Sequence, residues 1–155
     1  MRSLLISLTA AVILPAAAHA ADYRVGQIEI AAPWSRPALA GMNGAGFMTA
    51  TNRGAKADAL VAVQSPIARK IELHRSDMTG GVMRMQRQER LALPAGGAVK
   101  LAPGGHHVML IGLTRPLKAG DRFPATLVFA SGAKLKVEFT VQGAAPAADA
   151  HAHHH

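Results

Sequence analysis

The chain has 155 residues, with 17 Lys and Arg against 9 Asp and Glu, eight His, seven Met and no Cys. This length holds one ordinary domain, and an aromatic content of 4% leaves its core to aliphatic side chains. The absence of Cys excludes disulfides, thiolate metal sites, blue-copper centres and cysteine nucleophiles, which leaves imidazole and thioether as the soft ligands available.

Residues 1–20 read as a secretory signal peptide: Arg2 is a positive n-region, Leu4 to Leu14 an apolar run, Pro15 a helix breaker and Ala18-His19-Ala20 an A-x-A cleavage site. The apolar run is short of the roughly 20 residues of a membrane span, so no stable membrane insertion is expected. Export places the protein in the periplasm, with the mature chain starting at Ala21.

Period-2 alternation dominates from there. Val25 to Ile30 reads as a strand and Ala32-Pro33-Trp34-Ser35-Arg36-Pro37 as a loop, since its prolines donate no ladder bond. Gly46 to Thr51 and Ala59 to Gln64 are strands on either side of an Asn52-Arg53-Gly54 turn; a short helix around Pro66 to Lys70 stays open. Lys70 to Arg75 alternates, with Ile71 and Leu73 one way and Glu72 and His74 the other. Asp77 to Gly81 reads as a glycine-bearing loop, then Val82 to Glu89 and Arg90 to Leu93 as extended segments. Val99 to Leu101 lies between the turns Pro94-Ala95-Gly96-Gly97 and Pro103-Gly104-Gly105. His107 to Leu113 is a strong strand, Pro116 to Asp121 a turn, and Thr126 to Phe129 with Lys134 to Val141 a hairpin about Ser131-Gly132. About eight or nine short strands in one domain, residues 21–142, predict an all-β sandwich or barrel. Residues 143–155 have no bulky apolar side chain and read as a disordered tail ending in His151, His153, His154 and His155.

The net charge of +8 comes from scattered residues, among them Arg24, Arg36, Arg53, Lys56, Arg69, Lys70, Arg75, Arg84, Arg87 and Arg90. No aromatics lie between them for base stacking, which argues against nucleic acid. A solvated basic surface, or one drawn to an acidic protein or an anionic membrane surface, fits this layout.

His107 and Met109 are two apart on a strand and share a face, as do Met83 and Met85 on theirs. With His74, three segments offer His74, Met85, His107 and Met109 to one soft site, a donor set suited to Cu(I). Residue type alone leaves the alternative open that each Met is core filler and each His an ordinary satisfied residue. Met48, within a strand, reads as core, and Met78 and Met83 as a surrounding shell.

The spacing His74, ten residues, Met85, twenty-one residues, His107-Val108-Met109 is the H-x10-M-x21-H-x-M pattern of the PCu(A)C family of periplasmic copper chaperones, which the chain resembles. The resemblance extends to Ile71-Glu72-Leu73-His74, Gly81-Val82-Met83-Arg84-Met85, Pro103-Gly104-Gly105-His106-His107-Val108-Met109-Leu110 and the Ala32-Pro33-Trp34 segment, and covers about Val25 to Val141. It implies a cupredoxin-like Greek-key fold that binds one Cu(I) through His74, Met85, His107 and Met109. It also implies delivery of copper toward the CuA centre of cytochrome c oxidase, to its copper subunit or beside a thiol-bearing copper chaperone, and no enzyme activity. Neutral ligands near the surface suit stepwise ligand exchange, and Met85, beside the Asp77 to Gly81 loop, is placed to leave first. Two other readings compete. One is a periplasmic copper-buffering or scavenging protein without a dedicated acceptor. The other is a copper monooxygenase, for which cleavage after Ala18 would expose an N-terminal His19. The tail histidines are either a native imidazole-only site for Cu(II) or a purification remnant.

Overall fold

The computed structural model describes residues 23–143; the expected signal peptide with His19 and the expected tail with His151, His153, His154 and His155 lie outside that range. The described residues hold eleven strands and no helix: β1 (Tyr23–Val25), β2 (Ile28–Ser35), β3 (Gly44–Asn52), β4 (Asp58–Gln64), β5 (Ala68–Thr79), β6 (Val82–Gln88), β7 (Leu91–Leu93), β8 (Ala98–Leu101), β9 (His106–Leu113), β10 (Arg122–Phe129) and β11 (Lys134–Val141). They form one sheet in the order β6-β5-β9-β3-β2-β11-β10-β4-β7, with β1 added to β2 and β8 to β3. Only β11 and β2 pair in parallel.

The all-β expectation holds, and the differences from it are local. Val25 to Ile30 is not one strand but a hairpin, because Gly26 takes φ +55° and turns β1 back onto β2. The Ala32 to Ser35 stretch is not a loop: β2 runs through Pro33 by a bulge, where Ala32 adopts φ +47° and the register with β3 shifts between Ala31 and Trp34. A bulge leaves its extra residues unpaired, so the proline that donates nothing leaves no ladder bond unmade. Pro66 to Lys70 is not helical; β5 starts at Ala68. The Asp77 to Gly81 loop shrinks to a two-residue turn, because Gly80 (φ +60°) and Gly81 (φ +77°) supply the two left-handed positions of a type I′ hairpin and let β5 pair with β6 out to Thr79↔Val82.

The core is aliphatic with three fully buried phenylalanines. Phe123 and Phe139 stack in adjacent strands, 5.2 Å between centroids and 4° between planes. Gly46 in β3 lies under that pair: a Cβ there would stand 2.9 Å from the Phe139 ring and 3.5 Å from Val108. Met48 is 2% exposed, as its place in a strand predicted. Gly46→Ala is therefore expected to overpack the core and destabilise the fold by about 1–3 kcal/mol, read from the midpoint of urea unfolding. An unchanged midpoint would show that the Phe139 ring yields without cost.

Candidate metal centre

One face of β6, β5 and β9 collects the residues that the sequence singled out. In β5, Leu73 is buried in the core and Ile71 packs against it, so alternation turns Glu72, His74, Ser76 and Met78 to the opposite face. In β9, Val108 and Leu110 are core, which turns His107 and Met109 outward with them. The register then decides who meets whom. His74 stands directly opposite His107, and Glu72 opposite Met109. On the other side of β5, Ser76 is opposite Met85 and Met78 opposite Met83.

The His74 and His107 rings are 5.8 Å apart and inclined at 49°. Met85, His107 and Met109 line a shallow cleft of about 270 Å³, closed on its far side by Arg36, Pro37 and Ala38 and by Asn43 to Ala45. His107 is 5% exposed and Met85 52%, so the cleft runs from a buried imidazole to a thioether in solvent. Trp34 and Phe47 pack at 4.6 Å beside it, with the Arg36 guanidinium 5.7 Å from the Phe47 ring.

Hydrogen bonds select the tautomer of both rings. A carboxylate only accepts, so the 2.8 Å contact from His74 Nε2 to Glu72 Oε2 puts the proton on Nε2. Nδ1 of neutral His74 is then a lone pair, and it is buried without a hydrogen-bond partner among the described residues. A carbonyl likewise only accepts, so His107 Nδ1–H donates to Gly105 O at 3.1 Å and leaves Nε2 as the lone pair. The same carbonyl takes the Ser76 N–H at 3.0 Å, which ties the pairing of β5 to the orientation of His107. Two neutral imidazoles with lone pairs open, and two thioethers that need no deprotonation, fit a soft monovalent cation. Among the described residues no three His, Cys, Asp or Glu come together as a metal cluster.

Glu72 is the residue that the sequence reading did not assign a role. Its only sign there was alternation, which put it on the face of His74. Lys70 Nζ binds it at 2.6 Å and Arg87 Nε stands at 3.7 Å, so the carboxylate is held from outside while it orients His74. His106, the neighbour of His107, is kept below its ordinary pKa by burial and then by Arg75. Met85 lies in the extended segment expected after the glycine turn, mid-strand in β6, and its exposure comes from β6 being the sheet edge, exposed on both faces.

The sequence matches the profile of the LpqE-like family, described as "Putative lipoprotein LpqE-like", over residues 28–141. It is 34% identical over 142 residues to "Putative lipoprotein Lxx21020" of Leifsonia xyli, covering 90% of this chain and 85% of that one. The fold is similar to the copper-bound PCuAC domain from PmoF2 (TM-score 0.68, 28% identity, 79% of this chain and 98% of that one). It is similar also to apo-DR1885 from Deinococcus radiodurans (TM-score 0.59, 29% identity, 92% and 97%) and to the Cu(I) form of DR1885 (TM-score 0.57, 34% identity, 71% and 76%). The fold is thus cupredoxin-like.

The Lys70 ammonium first, and the His74 N–H after it, hold the Glu72 carboxyl down to about 2 from an ordinary 4.5. A carboxyl lowered on folding stabilises the native state above its unfolded pKa, and that contribution is lost as pH falls through its folded pKa. Part of the acid sensitivity of the metal-free protein between pH 4.5 and about 2 is therefore expected to vanish in Glu72→Gln, measured by denaturant unfolding across that range. Parallel pH profiles for parent and variant would refute the role of this carboxylate.

Proposed function

The chain belongs to the LpqE-like family, and from that premise we propose that it is a periplasmic copper chaperone that carries one Cu(I) on His74, Met85, His107 and Met109. The observation that carries this reading is the imidazole pair: His74 and His107 face each other across the β5–β9 ladder, each with its proton committed elsewhere and its other nitrogen open. The likeness to copper-bound PCuAC domains and the motif spacing support it.

The residues divide the work. His107 and Met109, on an interior strand, form the fixed side of the site. Met85, on the edge strand and half in solvent, is the ligand that an acceptor displaces first. Glu72 orients His74 and, bonded to that ligand's ring, compensates part of the ion's charge. All four ligands are neutral, so release needs no proton: an incoming donor replaces Met85, the ion is shared, and the remaining bonds exchange in turn. A site with two thioethers prefers Cu(I) to Zn²⁺ and Cu(II), which favour harder donors. The protein is exported by the leader at residues 1–20 and passes copper toward the CuA centre of cytochrome c oxidase, to its copper subunit or alongside a thiol-bearing chaperone.

Met109→Leu keeps the side-chain volume nearly constant and is expected to cost less than about 1.5 kcal/mol of fold stability. It should nevertheless weaken Cu(I) binding sharply in an anaerobic competition titration, with one sulfur scatterer lost from the copper X-ray absorption spectrum. Undiminished affinity would make Met109 a packing residue. Glu72→Ala removes the acceptor that anchors the ring and is expected to weaken Cu(I) by about 10–100-fold, the usual effect of removing a carboxylate that orients a histidine ligand. Delivery is read separately, by loading an apo CuA-domain fragment from the Cu(I) protein. A buffering protein would leave that fragment empty.

A further inference from the structure

The thioethers of this protein are distributed in a way that packing does not explain. Met48 fills the core, but Met78, Met83 and Met85 are 64%, 60% and 52% exposed and lie together at the tip of the β5–β6 hairpin. Burying a Met side chain is worth roughly 1.5–3 kcal/mol, and none of these three gains it. They are not scattered around the tip. Met78 pairs directly with Met83, and Met85 follows Met83 by two on the same face. Directly opposed side chains on an antiparallel pair have Cβ atoms about 4.5–5.5 Å apart and diagonal neighbours about 7–8 Å, within reach of three flexible side chains closing on one point. The other face of the tip carries Asp77, Thr79, Arg84 and Gln86 around an exposed Val82, with Thr79 Oγ1 donating to Asp77 at 3.3 Å and no sulfur among them.

We propose that Met78, Met83 and Met85 form a second, thioether-only site for a soft monovalent metal ion at the hairpin tip, sharing Met85 with the cleft. A trigonal set of neutral sulfurs takes Cu(I) or Ag(I), and the carboxylate on that face, Glu72, lies further along β5 and is held by Lys70 and Arg87, which leaves no hard donor at the tip for a divalent ion. Three exposed thioethers without an imidazole hold the ion more loosely than the cleft, so the tip acts as its port. The ion enters on the three sulfurs. Its bonds to Met78 and Met83 then break as bonds to His74, His107 and Met109 form, with Met85 held throughout and the oxidation state unchanged. The tip site needs only its own three residues; the hand-over rests on the Cu(I) reading of the cleft.

The test is NMR of the full chain labelled with ¹³C at the methionine ε-methyls, titrated anaerobically with Cu(I) and, as a redox-inert surrogate, Ag(I). The first equivalent is expected to move Met85 and Met109. Continued addition should then move Met78 and Met83 and shift Met85 a second time, as its sulfur is drawn to the second ion, while Met48 in the core and the exposed Met42 stay in place. In Met78→Leu/Met83→Leu, two exposed and nearly isosteric changes, the later phase should disappear, the Met109 response should remain, and transfer of Cu(I) from a loaded chelator into the cleft should slow. Met78 and Met83 methyls that stay at their metal-free positions in excess Cu(I) would overturn the tip site, and so would a Met42 response of equal size, which marks unspecific thioether binding. If Met78 and Met83 respond while Met109 does not, the tip site stands and the cleft assignment fails.

Discussion

The register of β5 against β9 is the constraint on which the rest of this structure depends. A strand's side chains alternate with period two, so a slip of β5 by one residue would send His74 into the aliphatic core and bring Leu73 to the surface, and a slip of β9 would do the same to His107 and Val108. Both sides of the ladder oppose that slip. Leu73, Val108 and Leu110 are buried on one face, and on the other the Gly105 carbonyl binds the Ser76 amide and the His107 ring together. The carbonyl that accepts the ladder's amide is thus also the one that chooses which nitrogen of His107 is left open. Fold and donor set are not separable here: unfolding the end of β9 would free the imidazole and lose its tautomer at once.

The second constraint is where in the sheet each candidate ligand sits. Interior strands are paired on both edges and exchange conformations slowly, while an edge strand has one free side and opens more easily. β9 is interior and carries His107 and Met109; β6 is the edge and carries Met85. The gradient from a nearly buried imidazole to a thioether in solvent follows from that order and gives the site a closed side and an open one. Arg36, Pro37 and Ala38, just after β2, and Asn43 to Ala45 wall the closed side, with Arg36 laid over the Phe47 ring. The basic surface nearby, Lys70 and Arg87, does not approach the imidazoles as free charge, because both cations are turned onto Glu72. Exposed ion pairs of this kind add little stability; their effect is to hold a carboxylate ionised beside His74.

A chain with so few aromatics spends its phenylalanines where strands must be held in stacked layers. Phe123 and Phe139 stack where β10 meets β11, and Gly46 leaves the space that their rings fill above β3. That packing is remote from the cleft in sequence, yet Gly46 pairs with Val108, the residue between His107 and Met109. The strand of the candidate ligands is therefore seated beside the glycine that makes room for the Phe139 ring.

Much of this was legible in the sequence. Strand–turn alternation, the lack of Cys and the i, i+2 placement of His107 and Met109 are local properties, and they were enough for an all-β domain and a soft donor set. The resemblance in spacing tied Met85 and His74 to them. What local pattern does not contain is pairing between strands distant along the chain. That His74 faces His107, that β6 is an edge, that Ala32 to Ser35 joins the sheet by a bulge, and that Gly80-Gly81 is a tight turn inside a long hairpin all depend on which strands meet and in what register. Glu72 shows the difference most plainly. Alternation placed it on the His74 face, but only the folded ladder, with Lys70 and Arg87 gathered around it and the His74 ring at hydrogen-bond distance, makes it the group that decides which nitrogen of that histidine is open. Periodicity is set by each residue's neighbours in the chain; register is set by the burial of side chains from separate segments against one another, and that exists only once the sheet has closed.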